Sequence, residues 1–191
     1  MRRGMKILFV LISMGTILGC ATTSRDLKQV RETWPTTTMT KDEIMNYFKN
    51  NVEALDPIEG VWVMSENTNW VNVYSGLRGK NVSSRQYVFA VMRDQKQDNT
   101  FNGYILESAV EQWNKHGLLK VFFRKMAVEN IYEMHWYMAD FTEWINNITL
   151  HPNQGVFTTE KSWAEPPLNY NQETVYLKQY PTVKKTTDKV Q

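Results

Sequence analysis

Between residues 41 and 55 apolar side chains recur at three- and four-residue steps, through Ile44, Tyr47, Phe48, Val52 and Leu55. That spacing predicts an amphipathic helix over 41–55 with one stripe that needs a partner surface. Thr40 and Glu43 have the spacing of a capping box, whose hydroxyl and carboxylate satisfy free amides of a first helical turn. Asp56-Pro57 ends the helix, because the residue before a proline is driven out of the helical conformation. Beyond Pro57 the period falls from about 3.6 to 2, and β-branched and aromatic runs are punctuated by Asn, Gly, Asp and Pro. The pattern predicts strands at 60–65, 70–75, 85–93, 101–108, 119–127, 131–139, 144–150, 155–160 and 174–180. Eight or nine short strands joined by short turns most simply form a meander. The fold class is therefore mainly β, an antiparallel up-and-down barrel or strongly curled sheet with one N-terminal amphipathic helix.

Alternation assigns the faces. Tyr132, Met134, Trp136 and Met138 share a core face, and Glu133, His135 and Tyr137 point the other way. By the same rule Leu119, Val121 and Phe123 face inward and Lys120, Phe122 and Arg124 outward. Strand 85–93 is apolar on both faces, which places it under the helix or in an oligomer contact. An eight-stranded barrel is just wide enough to be filled by side chains or to hold one small ligand. The bulky residues Phe89, Phe101, Phe123, Trp136 and Trp144 argue for filling, whereas a carrier needs smaller or polar inward residues around an open mouth. Asp94 to Asn99 reads as a hairpin turn. Pro166-Pro167 with Tyr170 reads as a loop over one barrel end, a lid or a plain connection.

The N-terminus follows a different pattern. Arg2, Arg3 and Lys6 precede a largely apolar run that closes on Ile17-Leu18-Gly19-Cys20, and polar residues follow at once. A charged start and an apolar stretch of about 7 to 15 residues are parts of an export signal, whereas a membrane span needs roughly 20. The segment resembles the lipobox of bacterial lipoprotein precursors. That resemblance implies cleavage after residue 19, lipid such as palmitate on Cys20, and life in the cell envelope. Ala21 in place of the Asp associated with inner-membrane retention implies the outer membrane, if the source has one. The chain then divides into a signal peptide (1–19), a lipidated tether (20–39), a helix plus β-barrel domain (40–181) and a polar tail (182–191). Within the tether Leu27, Val30 and Trp34 fall at helical spacing before Pro35, which allows one short amphipathic turn.

Composition narrows function further. The chain has 22 basic and 20 acidic residues, and loss of Arg2, Arg3 and Lys6 with the signal leaves it nearly neutral. No dense basic face is visible, so nucleic acid is not an expected partner, and Lys184, Lys185 and Lys189 read as a solvated tail. Cys20 is the only cysteine, so the domain is held by its core rather than by disulfides. The expected partners are the membrane, through the lipid on Cys20, and either a protein or a small apolar ligand.

Inside the folded part, Asp56-Pro57-Ile58-Glu59-Gly60-Val61-Trp62 is the most distinctive run. Gly60-x-Trp62 at a first strand, after a helical lead-in, resembles the opening of lipocalins and fatty-acid-binding barrels, and the whole run resembles uncharacterised bacterial β domains. The lipocalin resemblance implies that Gly60 permits a tight entry and that Trp62 plugs the closed end, often beneath a basic side chain; Trp62 is thus the candidate ligand-binding residue. For catalysis there are three histidines, His116, His135 and His151, and none lies in a motif. Glu133, His135 and Tyr137 on one strand face could form an acid/base group of a lipid-handling or hydrolytic enzyme, but a polar exterior explains them more simply. No spacing matches a metal site and no cofactor is expected. The reading is a non-enzymatic envelope lipoprotein, a binding or assembly module, with a lipocalin-like carrier and that enzyme as alternatives.

Overall fold

The structure, a computed structural model, describes residues 24 to 182; the signal, Cys20 and the tail lysines lie outside the described residues. Two helices, α1 (Ser24–Thr33) and α2 (Lys41–Asn50), precede eight strands: β1 (Gly60–Asn72), β2 (Arg78–Arg93), β3 (Thr100–Ser108), β4 (Leu119–Lys125), β5 (Ile131–Tyr137), β6 (Glu143–Thr149), β7 (Val156–Glu165) and β8 (Leu168–Tyr180). All pairings are antiparallel and the sheet order is β6-β5-β4-β3-β2-β1-β8-β7. The chain meanders from β1 to β6, and the β7–β8 hairpin then returns to pair with β1. The outer strands β6 and β7 stand at opposite ends of the sheet order, and the connection between them carries one bridge, His151 with Val156, so the up-and-down barrel is nearly closed with a seam there.

Period 2 explains the interior. Trp62, Met64, Phe89, Phe101, Phe123, Tyr132, Met134, Trp136, Phe157 and Tyr176 form one buried cluster inside the barrel. A second cluster sits outside it, where Ile44 and Phe48 of α2 cover Val61, Val63, Val88, Ala90, Met92 and Leu106. The two apolar faces of β2 thus have separate partners, the interior and α2. The capping box forms as expected: the Thr40 hydroxyl accepts from Glu43 N, and the Glu43 carboxylate accepts from Thr40 N at 2.7 Å.

Several expectations need correction. The helix stops at Asn50 rather than residue 55: Asn51 N closes the last helical bond to the Tyr47 carbonyl, its side-chain amide donates to the same carbonyl, and Ala54 N turns back to Asn51 O; Val52 is left exposed. The stretches 60–65 and 70–72 are one strand, since the polar run Glu66 to Asn69 continues the ladder to β8, and residues 73–75, expected to be strand, belong to the β1–β2 turn. Pro166-Pro167 is the tight turn of the β7–β8 hairpin, not a loop over the barrel. The stretch expected to be tether carries α1, whose Leu27 and Val30 pack on the core, and Thr36 bridges to Leu118.

The largest correction concerns β4. Gly103 pairs with Val121 but Tyr104 pairs with Leu119, so Lys120 is the extra residue of a β-bulge and parity flips there. Leu118 and Lys120 are fully buried while Leu119 is half-buried, its amide and carbonyl spent on Pro35 O and Trp34 Nε1. Lys120, expected outside, points inward.

Candidate functional site

Both ends of the barrel carry charge, and they do so differently. At the closed end, where β1 begins, Trp62 is fully buried, donates Nε1 to Ile58 O at 2.8 Å and lies 5.1 Å from the Phe157 ring. Lys178 Nζ stands 5.6 Å from the Trp62 centroid and donates to Pro57 O at 2.7 Å. Gly60 has φ +144°, and a side chain there would meet Tyr180 O at 2.2 Å, so the tight entry needs glycine. These are the positions implied by the Gly60-x-Trp62 resemblance.

The carboxylates of the same run are sealed into this end. Asp56 accepts from Lys125 Nζ at 2.6 Å and from the Tyr132 hydroxyl, and Glu59 accepts from Tyr47 OH at 2.6 Å, Asp56 N and Arg93 N. Burial, then the Glu59 bond, push the Tyr47 hydroxyl up to about 12. Burial pulls Lys178 down to about 8 against the pull of Asp56 and Glu59. Every charge here has a partner, which fits a structural plug.

At the opposite end, the mouth, the β4 bulge delivers Lys120 into an aromatic cage. Its Nζ lies 4.0 Å from the Trp113 centroid, 4.4 Å from Tyr87 and 4.6 Å from Trp136, and donates to Tyr137 O. Three ring faces around an ammonium form a cation–π enclosure. Burial nevertheless drives the Lys120 pKa well below its ordinary value, with Glu66 the opposing influence. Burial likewise raises Glu66, against bonds from Gln172 and Gln86 and the charge of Lys120.

Glu66, Met64, Trp136, Trp144, Gln172 and Tyr176 line a mouth cavity of only ≈ 30 Å³. That is the room of about one water molecule. The barrel interior is therefore filled, as the bulky inward residues predicted.

The histidine group sits on the outer face. His135 Nδ1 and Nε2 lie 2.8 Å from Glu143 Oε1 and Glu133 Oε1 respectively, and Arg124 reaches Glu133 at 3.2 Å. Bonds from His135, then the Arg124 charge, hold the Glu133 carboxyl below its usual range. Two carboxylates on opposite ring nitrogens leave His135 no free nitrogen for a substrate proton. Tyr137 is diverted to the N-terminal segment, with its ring edge-on to Trp34 at 5.1 Å. His116 bonds Met39 O at 2.9 Å, and the His151 backbone closes the seam.

Among the described residues no group of His, Cys, Asp and Glu could hold a metal ion, and no helix is long and apolar enough to cross a membrane. The Lys120 cage was invisible to strict alternation; the adjacent Leu118-Leu119 pair, which breaks period 2, was its one signal. No protein-family model, curated protein or solved structure matches the chain.

Proposed function

We propose that the chain is a non-enzymatic envelope lipoprotein, anchored by acylated Cys20 and acting through its surface as a binding or assembly module, on the outer membrane where the source has one. The lipobox-like Ile17-Leu18-Gly19-Cys20 supports the anchor. The single observation that carries the surface-acting part is the filled interior: a fatty acid needs a cavity of hundreds of Å³, and the mouth offers ≈ 30 Å³. His135 engaged on both nitrogens supports the non-enzymatic reading over the hydrolytic one.

The lipocalin-like carrier is kept as second reading because the Lys178-over-Trp62 arrangement matches that resemblance. Thermal unfolding of residues 21 to 191 with a panel of fatty acids separates the two, since a ligand that binds only the folded state raises its melting temperature. No shift at saturating fatty acid supports the surface module, and a dose-dependent rise transfers the chain to the carrier reading.

A further inference from the structure

The N-terminal segment that leads from the anchor is fastened to one end of the barrel. Leu27, Val30 and Trp34 pack against the core, and Trp34 meets Trp113 edge-on at 6.2 Å and Phe141 at 4.8 Å. Leu27, Lys28 and Arg31 face Glu111 and Gln112, and Arg31 donates to Glu111 O at 3.3 Å. Glu111–Trp113 and Phe141 lie in the β3–β4 and β5–β6 connections, which close the strands at the mouth end. Cys20 lies four chain steps before Ser24, a reach of at most about 14 Å for extended chain. An acyl chain on Cys20 therefore holds the barrel close to the lipid, by the segment docked on its mouth end.

The same end displays the β1–β2 turn. Val73, Tyr74 and Leu77 are 51%, 84% and 66% exposed. The turn is rigid: Asn72 Oδ1 accepts from Tyr74 N and Ser75 N, both at 3.0 Å, and Asn72 N donates to Leu77 O. Val73 N donates to Pro167 O, tying it to the β7–β8 turn. A fixed turn loses little entropy when its apolar side chains are buried in a partner. Exposed Arg78 and Lys80 follow at once, and no carboxylate occurs along the chain between Glu66 and Asp94; Glu165, beside the β7–β8 turn, accepts from Trp163 Nε1 at 3.2 Å and leaves the two cations in excess. An aromatic and two aliphatic side chains beside paired cations match the interface of an anionic bilayer, apolar below and negative at the headgroups. The closed end also exposes Met126 and Val128, but Glu129 lies beside them and α1 is at the other end.

We propose that the mouth end faces the membrane, and that Val73, Tyr74 and Leu77, with Arg78 and Lys80, dock on the anionic lipid surface to which Cys20 is anchored. This rests on the acylation of Cys20 proposed above.

The test uses the acylated chain in vesicles of three parts phosphatidylethanolamine to one part phosphatidylglycerol, with an environment-sensitive NBD label at Tyr74→Cys or Val128→Cys. The label at 74 shifts to the blue and is quenched by brominated acyl chains, and the label at 128 does neither. Leu77→Ser weakens the blue shift at 74, and Arg78→Gln with Lys80→Gln weakens it as phosphatidylglycerol is replaced by phosphatidylcholine does. A label at 74 that stays in water, or one at 128 that is quenched, overturns the docking when the intact mass shows acyl chains on Cys20. A label at 74 shielded only after envelope proteins are added assigns the turn to a protein partner and also overturns it. A mass without acyl chains overturns the anchor, and the docking with it.

Discussion

Replacing Lys120 by Met tests what the β4 bulge built. The side chain is fully buried, so the ammonium carries a desolvation cost of several kcal/mol. Against it stand three ring faces, each worth up to about 2 kcal/mol when desolvated, and one charged hydrogen bond of about 1.5 to 3 kcal/mol. Burial is the larger influence and the folded-state pKa falls well below 10.5. Between that lowered value and 10.5 the unfolded chain binds more protons than the folded one, so stability rises with pH through the window. For one proton the slope reaches about 1.4 kcal/mol per pH unit. Urea unfolding followed by circular dichroism from pH 6 to 9.5 should therefore show wild type gaining on Lys120→Met as pH rises. Lys178 titrates in both proteins and cancels in the difference; the pH range stops below the buried tyrosines. At neutral pH the Met variant should match or exceed wild type, by up to about 4 kcal/mol, since replacing a buried charge with an apolar side chain of similar volume is often stabilising. Parallel curves would refute the reasoning: they would mean that the rings keep the ammonium as fully charged in the folded state as in water.

Trp62→Ala should cost about 3 to 5 kcal/mol by the same urea measurement, because it empties the fully buried closed end. Gly103→Ala should cost about 1 to 3 kcal/mol, since the new Cβ would lie 2.3 Å from Val121 Cγ1, and adding Val121→Ala should restore part of the loss, read as a double-mutant cycle. Asp56→Asn removes the charge that Lys125 and Tyr132 share and should lower stability by about 1 to 3 kcal/mol, with little further effect in a Lys125→Met background. His135→Ala should change stability by less than about 1 kcal/mol, as expected of exterior polar contacts, in thermal melts at pH 7.

Much of the fold was legible because the core obeys simple periods. Tyr132, Met134 and Trp136 alternate without interruption and all are buried, and the double apolar face of β2 announced a covering surface, the helix or an oligomer contact, of which α2 supplies the first. The errors lie where backbone irregularity or a change of environment overrides the pattern. Glu66 to Asn69 read as a break because they are polar, yet they continue β1 beyond the packed interior, where the ladder to β8 supplies the pairing that side chains do not. At β4 a single bulge reversed parity, sending Lys120 in and leaving Leu119 half-buried. The cage needs Tyr87, Trp113 and Trp136 from three distant stretches, and no local pattern brings them together. Trp62 was legible only through the Gly60-x-Trp62 resemblance, since the groups that fix the pair, Phe157, Lys178 and Tyr180, are distant in sequence.

The most direct test of the account is the intact mass of the protein recovered from the membranes of a bacterial host expressing residues 1 to 191. The account requires a chain that begins at Cys20 and carries acyl chains, with the unprocessed precursor accumulating in Cys20→Ser. A chain that keeps Met1, or begins at an unmodified Cys20, would contradict it.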